Sequence, residues 1–294
     1  MNTQFALFTA LAVSAVAGCA TPDTDSTSAG SVDRYAAEKL ATPTLAFPRR
    51  LRAANPFDTP ARSPVWTVDG SIVSDFEFVD RRLARFRYRG TPVYDPSSGN
   101  WLAFANGAIV RIENDALIVV ADGVQGRDVD VRERAGIAVS REPNDTIVLH
   151  RFSERGLDST VLLAGSGFFN PRFSPDCDSI LVSESRADGA RIWVVSLSGS
   201  ARELTFGDYP SWHPDGGRVV FVRLTDDGYS LTSSQLWSVD VVSREARLVG
   251  AVSIAAILPS VSPDGSSVAF VDGRNGDSYV SEFEDPFAKG AFSR

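Results

Sequence analysis

Pro171-Arg-Phe173-Ser-Pro175-Asp-Cys177-Asp178, running on into Ser179-Ile-Leu-Val-Ser183, is the stretch whose reading decides the fold. Each proline fixes φ and withholds a backbone donor, which suits the point where a strand enters or leaves its ladder. An Asp-Gly pair or its substitute then makes a tight positive-φ turn between antiparallel strands. Cys177 stands where a turn glycine belongs, so this copy is expected to turn more loosely or by another type. The apolar alternation that follows predicts a strand.

The same pattern recurs as Pro92-Val-Tyr94-Asp-Pro96-Ser-Ser-Gly99, Pro210-Ser-Trp212-His-Pro214-Asp-Gly-Gly217 and Pro259-Ser-Val261-Ser-Pro263-Asp-Gly-Ser266. Strand-like runs follow at Trp101–Ala105, Val219–Arg223 and Val268–Asp272. Pro175, Pro214 and Pro263 recur at intervals of roughly 40–50 residues, with Pro96 about two intervals upstream of Pro175. A degraded copy is therefore expected between, and Glu142-Pro143-Asn144-Asp145 ahead of Ile147-Val148-Leu149 is read as that copy. Repeats of this length with several short strands predict an all-β chain, a β-propeller of about six four-stranded blades. Five repeats are clearly visible, and the strand-like material of Trp66–Arg89 either forms a further blade or closes the last one, which makes six the expected count over five. Tyr94, Phe173, Trp212 and Val261, lying between the paired prolines, are expected to point between blades.

These motifs resemble the WD-like Pro-Asp repeats of the TolB family. The copy from Phe173 to Phe206 carries the whole unit: FSPD, the strand SILVSES, a second strand Arg191-Ile-Trp-Val-Val-Ser-Leu197, and Arg202-Glu-Leu-Thr205 before Gly207. The resemblance covers about residues 90 to 285. It implies a propeller and a Tol-Pal-like role in the cell envelope, with a peptidoglycan-associated lipoprotein among the partners it suggests.

Composition agrees with a folded, exported binding protein. The chain has 294 residues, 43% hydrophobic and 22% charged, enough to bury a core. Its formal charge of -8 argues against nucleic acid, because phosphate binding needs clustered Lys and Arg. Phe5–Ala17 is the length of a signal-peptide apolar core and short of a membrane span. It ends in Val16-Ala17-Gly18-Cys19, which resembles the lipobox of bacterial lipoproteins and would place lipid on Cys19. Ala15-Val16-Ala17 also fits an ordinary cleavage site, which would release a soluble periplasmic protein. By resemblance to sorting signals, Ala20 after a lipidated Cys19 favours the outer membrane. The expected organisation is a signal peptide over 1–18, a lipidated tether and Pro-rich lead-in over 19–60, and the propeller over 61–294. The other cysteine is Cys177, so a lipidated Cys19 leaves no disulfide within the chain and packing must supply the stability.

Residues with chemistry are sparse. The histidines are His150 and His213, and His213 is read as a turn residue bonded to its own backbone. No Gly-x-Ser-x-Gly occurs. Asp176, Asp215 and Asp264 recur once per repeat and read as turn residues. The acidic loops at Asp226-Asp227-Gly228 and Asp272–Asp277 lack the ligand spacing of an EF-hand and read as hairpin turns. No cofactor or metal is expected. Arg85, Arg87 and Arg89 alternate with Phe86 and Tyr88, which in a strand puts three guanidinium groups on one face. That face is either a docking strip for an acidic partner or a solvated edge that uses charge to discourage pairing. The overall expectation is a non-enzymatic, protein-binding module anchored in the envelope. The alternative is a propeller enzyme or carbohydrate-binding protein with its site at the channel mouth.

Overall fold

The computed structural model describes residues 49–52, 64–73, 93–105, 107–113, 116–124, 126–226, 231–252, 254–284 and 286–287. Two short pieces come first: β1 (Arg49–Arg52), then a hairpin of β2 (Val65–Trp66) and β3 (Ile72–Val73). The first blade is β4 (Val93–Asp95), β5 (Asn100–Ala105), β6 (Ala108–Glu113) and β7 (Ala116–Asp122). The second is β8 (Arg127–Arg132), β9 (Ile137–Arg141), β10 (Ile147–Ser153) and β11 (Gly156–Leu163). The third is β12 (Phe168–Phe173), β13 (Ser179–Arg186), β14 (Gly189–Ser196) and β15 (Ala201–Phe206). The fourth is β16 (Asp208–Trp212), β17 (Arg218–Asp226), β18 (Leu231–Asp240) and β19 (Ala246–Val252). The fifth is β20 (Ala256–Val261), β21 (Ser267–Asp272) and β22 (Ser278–Glu282), completed by β1 on its outer edge.

Each blade is a four-stranded antiparallel meander, and together they form a five-blade β-propeller arrangement. The first strands of neighbouring blades pack together, β4 on β8, β8 on β12 and β16 on β20, which makes them the inner ring. The central strands read as unbroken apolar runs because both of their faces are buried. Ile180 and Val182 face the second blade with Val139, Ile147, Leu149 and Phe173. Leu181, one residue out of phase, faces the fourth blade with Val219, Phe221 and Trp237. Val220 and Val222 turn the other way, onto Val261, Val268 and Phe270 of the fifth. The two-residue period of a strand thus supplies two cores at once. Phe173, Val261 and Trp212 lie in or against these inter-blade cores, as the position between the prolines required.

The inner strands share a second device. Asp128, Asn170, Tyr209 and Leu258 take φ of 51°, 54°, 50° and 53°. At each of these points the register of the ladder slips, between Arg127 and Asp130, Phe169 and Arg172, Asp208 and Ser211, and Ile257 and Ser260. This is a β-bulge repeated blade after blade. In three of them the next residue is Pro171, Pro210 or Pro259, which has no N–H to lose where the ladder opens.

Two expectations are corrected. Glu142–Thr146 joins the second and third strands of its blade, not the first and second. The true counterpart of the Pro-Asp turn there is the single 3-10 turn Glu133–Ala135, closed by Gly136 at φ 63°. The Cys177 turn is not looser: its N–H bonds the Ser174 carbonyl at 3.0 Å, as those of Gly216 and Gly265 bond His213 and Ser262 at 3.0 and 2.9 Å. Cys177 simply accepts φ 65°. Arg49–Arg52 pairs with β22 and so adds a strand to the fifth blade. Of the Trp66–Arg89 segment, residues 74–89 lie outside the described residues, and the described part forms the two-stranded hairpin β2–β3.

That hairpin bridges the two ends of the ring. The Trp66 indole N–H donates to the Ser260 carbonyl of the fifth blade at 2.9 Å. The Val68 N–H reaches the Tyr94 hydroxyl of the first blade at 3.4 Å. The Asp272–Asp277 segment is the hairpin turn expected of it, and Arg274 pairs with Asp272 at 3.0 Å.

Candidate functional site

The turns of the third blade, the fifth blade and the hairpin are built in the same way. In the third blade the Ser174 hydroxyl donates to Asp176 Oδ1 at 2.5 Å, and the Asp178 N–H donates to the same oxygen at 3.1 Å. In the fifth, Asp264 Oδ1 accepts the Ser262 hydroxyl at 2.6 Å and the Ser266 N–H and hydroxyl at 3.0 and 2.8 Å. In the hairpin, Asp69 Oδ1 accepts from the Thr67 hydroxyl and from the Ser71 N–H, the latter at 3.1 Å. Hydrogen bonds to the ionised form favour it, so all three carboxyls lie below the usual range. Asp264 is drawn down to about 2, chiefly by the Ser262 hydroxyl, and Asp69 is lowered chiefly by the Thr67 hydroxyl.

In the fourth and fifth blades the turn glycine nests on the turn before it. A Cβ on Gly265 would lie 2.9 Å from His213 Nε2, and one on Gly216 would lie 3.9 Å from Asp176 and Pro175. Gly70 breaks the series, because a Cβ there would meet nothing within 4 Å. Between the hairpin and the fifth blade this leaves a groove of about 390 Å³, with Trp66, Asp69 and Gly70 on one wall and Ser262, Pro263 and Asp264 on the other. The indole is fixed by its bond to Ser260. Both aspartates use Oδ1 to hold their turns.

The other titratable groups do structural work. His150 is 2% exposed and lies between two hydroxyls, with Nε2 2.8 Å from Ser140 and Nδ1 2.9 Å from Ser159. Burial pushes its pKa down to about 4. His213 packs on Gly265, and its Nδ1 lies 3.3 Å from the Asp215 N–H, the local backbone bond expected of it. Arg218 is a further partner of that ring nitrogen at 3.3 Å. Asp95 and Asp130 stitch blades together: Asp95 Oδ2 accepts the Glu133 N–H at 3.0 Å, and Asp130 Oδ2 accepts the Phe173 N–H at 2.8 Å. Burial raises the Cys177 thiol above its ordinary value. Asp208 differs, because burial at the bulge of β16 pushes its carboxyl up to about 6 beside the left-handed Tyr209. Among the described residues no group of three or more His, Cys, Asp or Glu converges as a metal site.

Cys19 and the strip Arg85, Arg87 and Arg89 lie outside the described residues. Trp66 and Asp69 were missed from the sequence, although a signal exists. Pro64-Val-Trp66-Thr-Val-Asp69-Gly-Ser71 is a copy of the Pro-Asp turn in which Val68 replaces the second proline. With that proline gone and one residue fewer before the next strand, the copy escapes a search for paired prolines.

No family model matches the chain. It is similar in structure to the TolB of Acinetobacter baumannii, at 15% identity and a TM-score of 0.49 over 68% of this chain. It spans 55% of the length of that protein. A putative TolB from Agrobacterium tumefaciens aligns at 16% identity and a TM-score of 0.49, over 66% of this chain and 90% of the other. An oligogalacturonate lyase from Vibrio parahaemolyticus aligns at 12% identity and a TM-score of 0.50, over 69% of this chain and 67% of the other. At these identities the likeness is one of fold.

Proposed function

We propose that this β-propeller is an exported, lipid-anchored module of the bacterial cell envelope that binds a protein partner. The observation that carries this reading is the open groove between the hairpin and the fifth blade, with Asp69 and Asp264 on its two walls and Trp66 beside them. A general acid or base works best with a pKa near the working pH. Asp264, drawn down to about 2, stays an anion throughout the physiological range, which suits it to charge recognition. The recurrent acids of the other turns and seams are spent on holding the ring. The export signal and the Cys19 lipobox support the location, and the Pro-Asp repeats support a Tol-Pal-like role with a peptidoglycan-associated lipoprotein among the partners to test. Crosslinking in intact cells, with the native leader kept, followed by affinity capture and mass spectrometry, is the deciding experiment. Recovery of one envelope protein supports the reading, and recovery of the bait alone overturns it. In the first case, replacing Arg85, Arg87 and Arg89 together tests whether that strip contributes.

One observation favours a second reading, a small-molecule or carbohydrate site at the channel mouth. Asp208, on inner strand β16 just ahead of the left-handed Tyr209, has a carboxyl that burial raises to about 6. A glycan-array screen that returns specific ligands, together with an unaccompanied bait in the crosslinking experiment, would establish it over the first.

A further inference from the structure

The turn of the hairpin and that of the fifth blade stand apart, whereas the turns of the third, fourth and fifth blades pack one on the next. The glycines of the fourth and fifth blades sit against the preceding turn, whereas Gly70 has open space where a Cβ would stand. The opening is lined by chemistry of one kind. Asp69 and Asp264 bring two carboxylates from opposite walls, each tied down through Oδ1. The Trp66 indole forms an aromatic side, oriented by its bond to Ser260. Val68, 61% exposed, adds apolar surface at the rim.

Carboxylates, an aromatic face and an apolar rim match the parts of a long cationic side chain. The stem lies along apolar surface while the charged head meets the anions. A cation over an indole gains further attraction from the ring. The volume, about 390 Å³, falls toward the small end of the range of about 300–1,000 Å³ that ligand pockets span. We propose that this groove seats a lysine or arginine side chain of the partner protein, an inference that rests on the binding-module reading above.

The test uses the full mature chain with its tryptophan indoles labelled for NMR, and a Trp66→Phe variant to assign the Trp66 signal. The probes are Nα-acetyl-lysinamide and Nα-acetyl-argininamide, with neutral Nα-acetyl-norleucinamide as control. Saturable movement of the Trp66 signal with a cationic probe alone supports the proposal. So does a loss of affinity of about 2- to 5-fold in each of Asp69→Asn and Asp264→Asn. Asparagine keeps the Oδ1 acceptor, so an unchanged melting curve confirms that the turns persist. The proposal is overturned by an equal response to norleucinamide, by a response to calcium chloride or glucosamine in place of the amino-acid amides, or by no saturable movement.

A second arm separates the two readings. Capture of a partner by the wild type and its loss from the Asp69→Asn/Asp264→Asn double variant supports both. Equal capture by the double variant leaves the binding-module reading standing and overturns the groove. Failure of the wild type to capture any partner removes the binding-module reading and the inference with it.

Discussion

The indole N–H of Trp66 donates to the carbonyl of Ser260, 194 positions away in sequence, at 2.9 Å. The same bond recurs once inside the ring, where the Trp212 indole donates to the Arg172 carbonyl at 3.2 Å. One chemical device therefore joins the third blade to the fourth and the fifth to the hairpin.

Replacing Trp66 by Phe removes the donor and keeps a single aromatic ring in place of the indole. The expected cost is about 1 kcal/mol, the net worth of one hydrogen bond, read as a lower urea midpoint at unchanged slope. Trp212→Phe is expected to behave alike. If Trp66→Phe leaves the midpoint in place, the bond to Ser260 does not hold the hairpin.

Gly265→Ala and Gly70→Ala place the same methyl at equivalent turn positions, with φ of 73° and 80°. Both incur the cost of a left-handed residue with a side chain, but Gly265→Ala must also displace His213. The first is expected to destabilise more than the second by about 1 kcal/mol, the usual penalty of overpacking. Equal losses in thermal melts would show that the fourth and fifth turns do not press on one another.

Cys177→Gly is expected to stabilise. A residue with a Cβ at φ 65° incurs a left-handed cost of about 1–2 kcal/mol, while glycine loses roughly 0.4–1 kcal/mol through the freer unfolded chain. The balance is a gain of about 0.5–1 kcal/mol, visible as a rise in melting temperature. A fall instead would mean that the Cys177 side chain packs usefully beside Arg132.

His150 should make the fold sensitive to acid. Its folded pKa of about 4 lies below the unfolded value of about 6.5, so the unfolded chain takes up the proton first. The contribution is fully present above pH 6.5, falls as the pH drops toward 4, and changes no further below that. Its full size is at most about 3 kcal/mol. Unfolding titrations across this window should show a steeper loss for the wild type than for His150→Gln. Parallel slopes would contradict the burial of an uncharged imidazole.

How much of this could be read beforehand follows from where the information is stored. The Pro-Asp turns at Pro175, Pro214 and Pro263 are local, and so they showed the repeat, the fold class and the inward aromatic position. Turn identity is also local, yet Glu142–Asp145 misled, because a proline and an acid suit any tight connection and do not say which two strands it joins. The left-handed Cys177 was misjudged for a related reason: the neighbouring bonds of Ser174 and Asp176 hold the turn whether or not glycine is present. The groove was not legible. It depends on Asp69 and Asp264 lining one groove from the two ends of the ring, an arrangement written in no single stretch of chain.

The pairing of Arg49–Arg52 with Ser278–Val280 has a mechanical meaning. A load drawn through the chain ahead of Arg49, as a membrane tether would apply, falls first on the backbone bonds of an outermost strand and not on any inter-blade core. Those bonds can part while Val268, Phe270 and Val280 stay packed. The fifth blade is thus the fuse of the ring: under tension it yields at its rim, and the other four blades are spared.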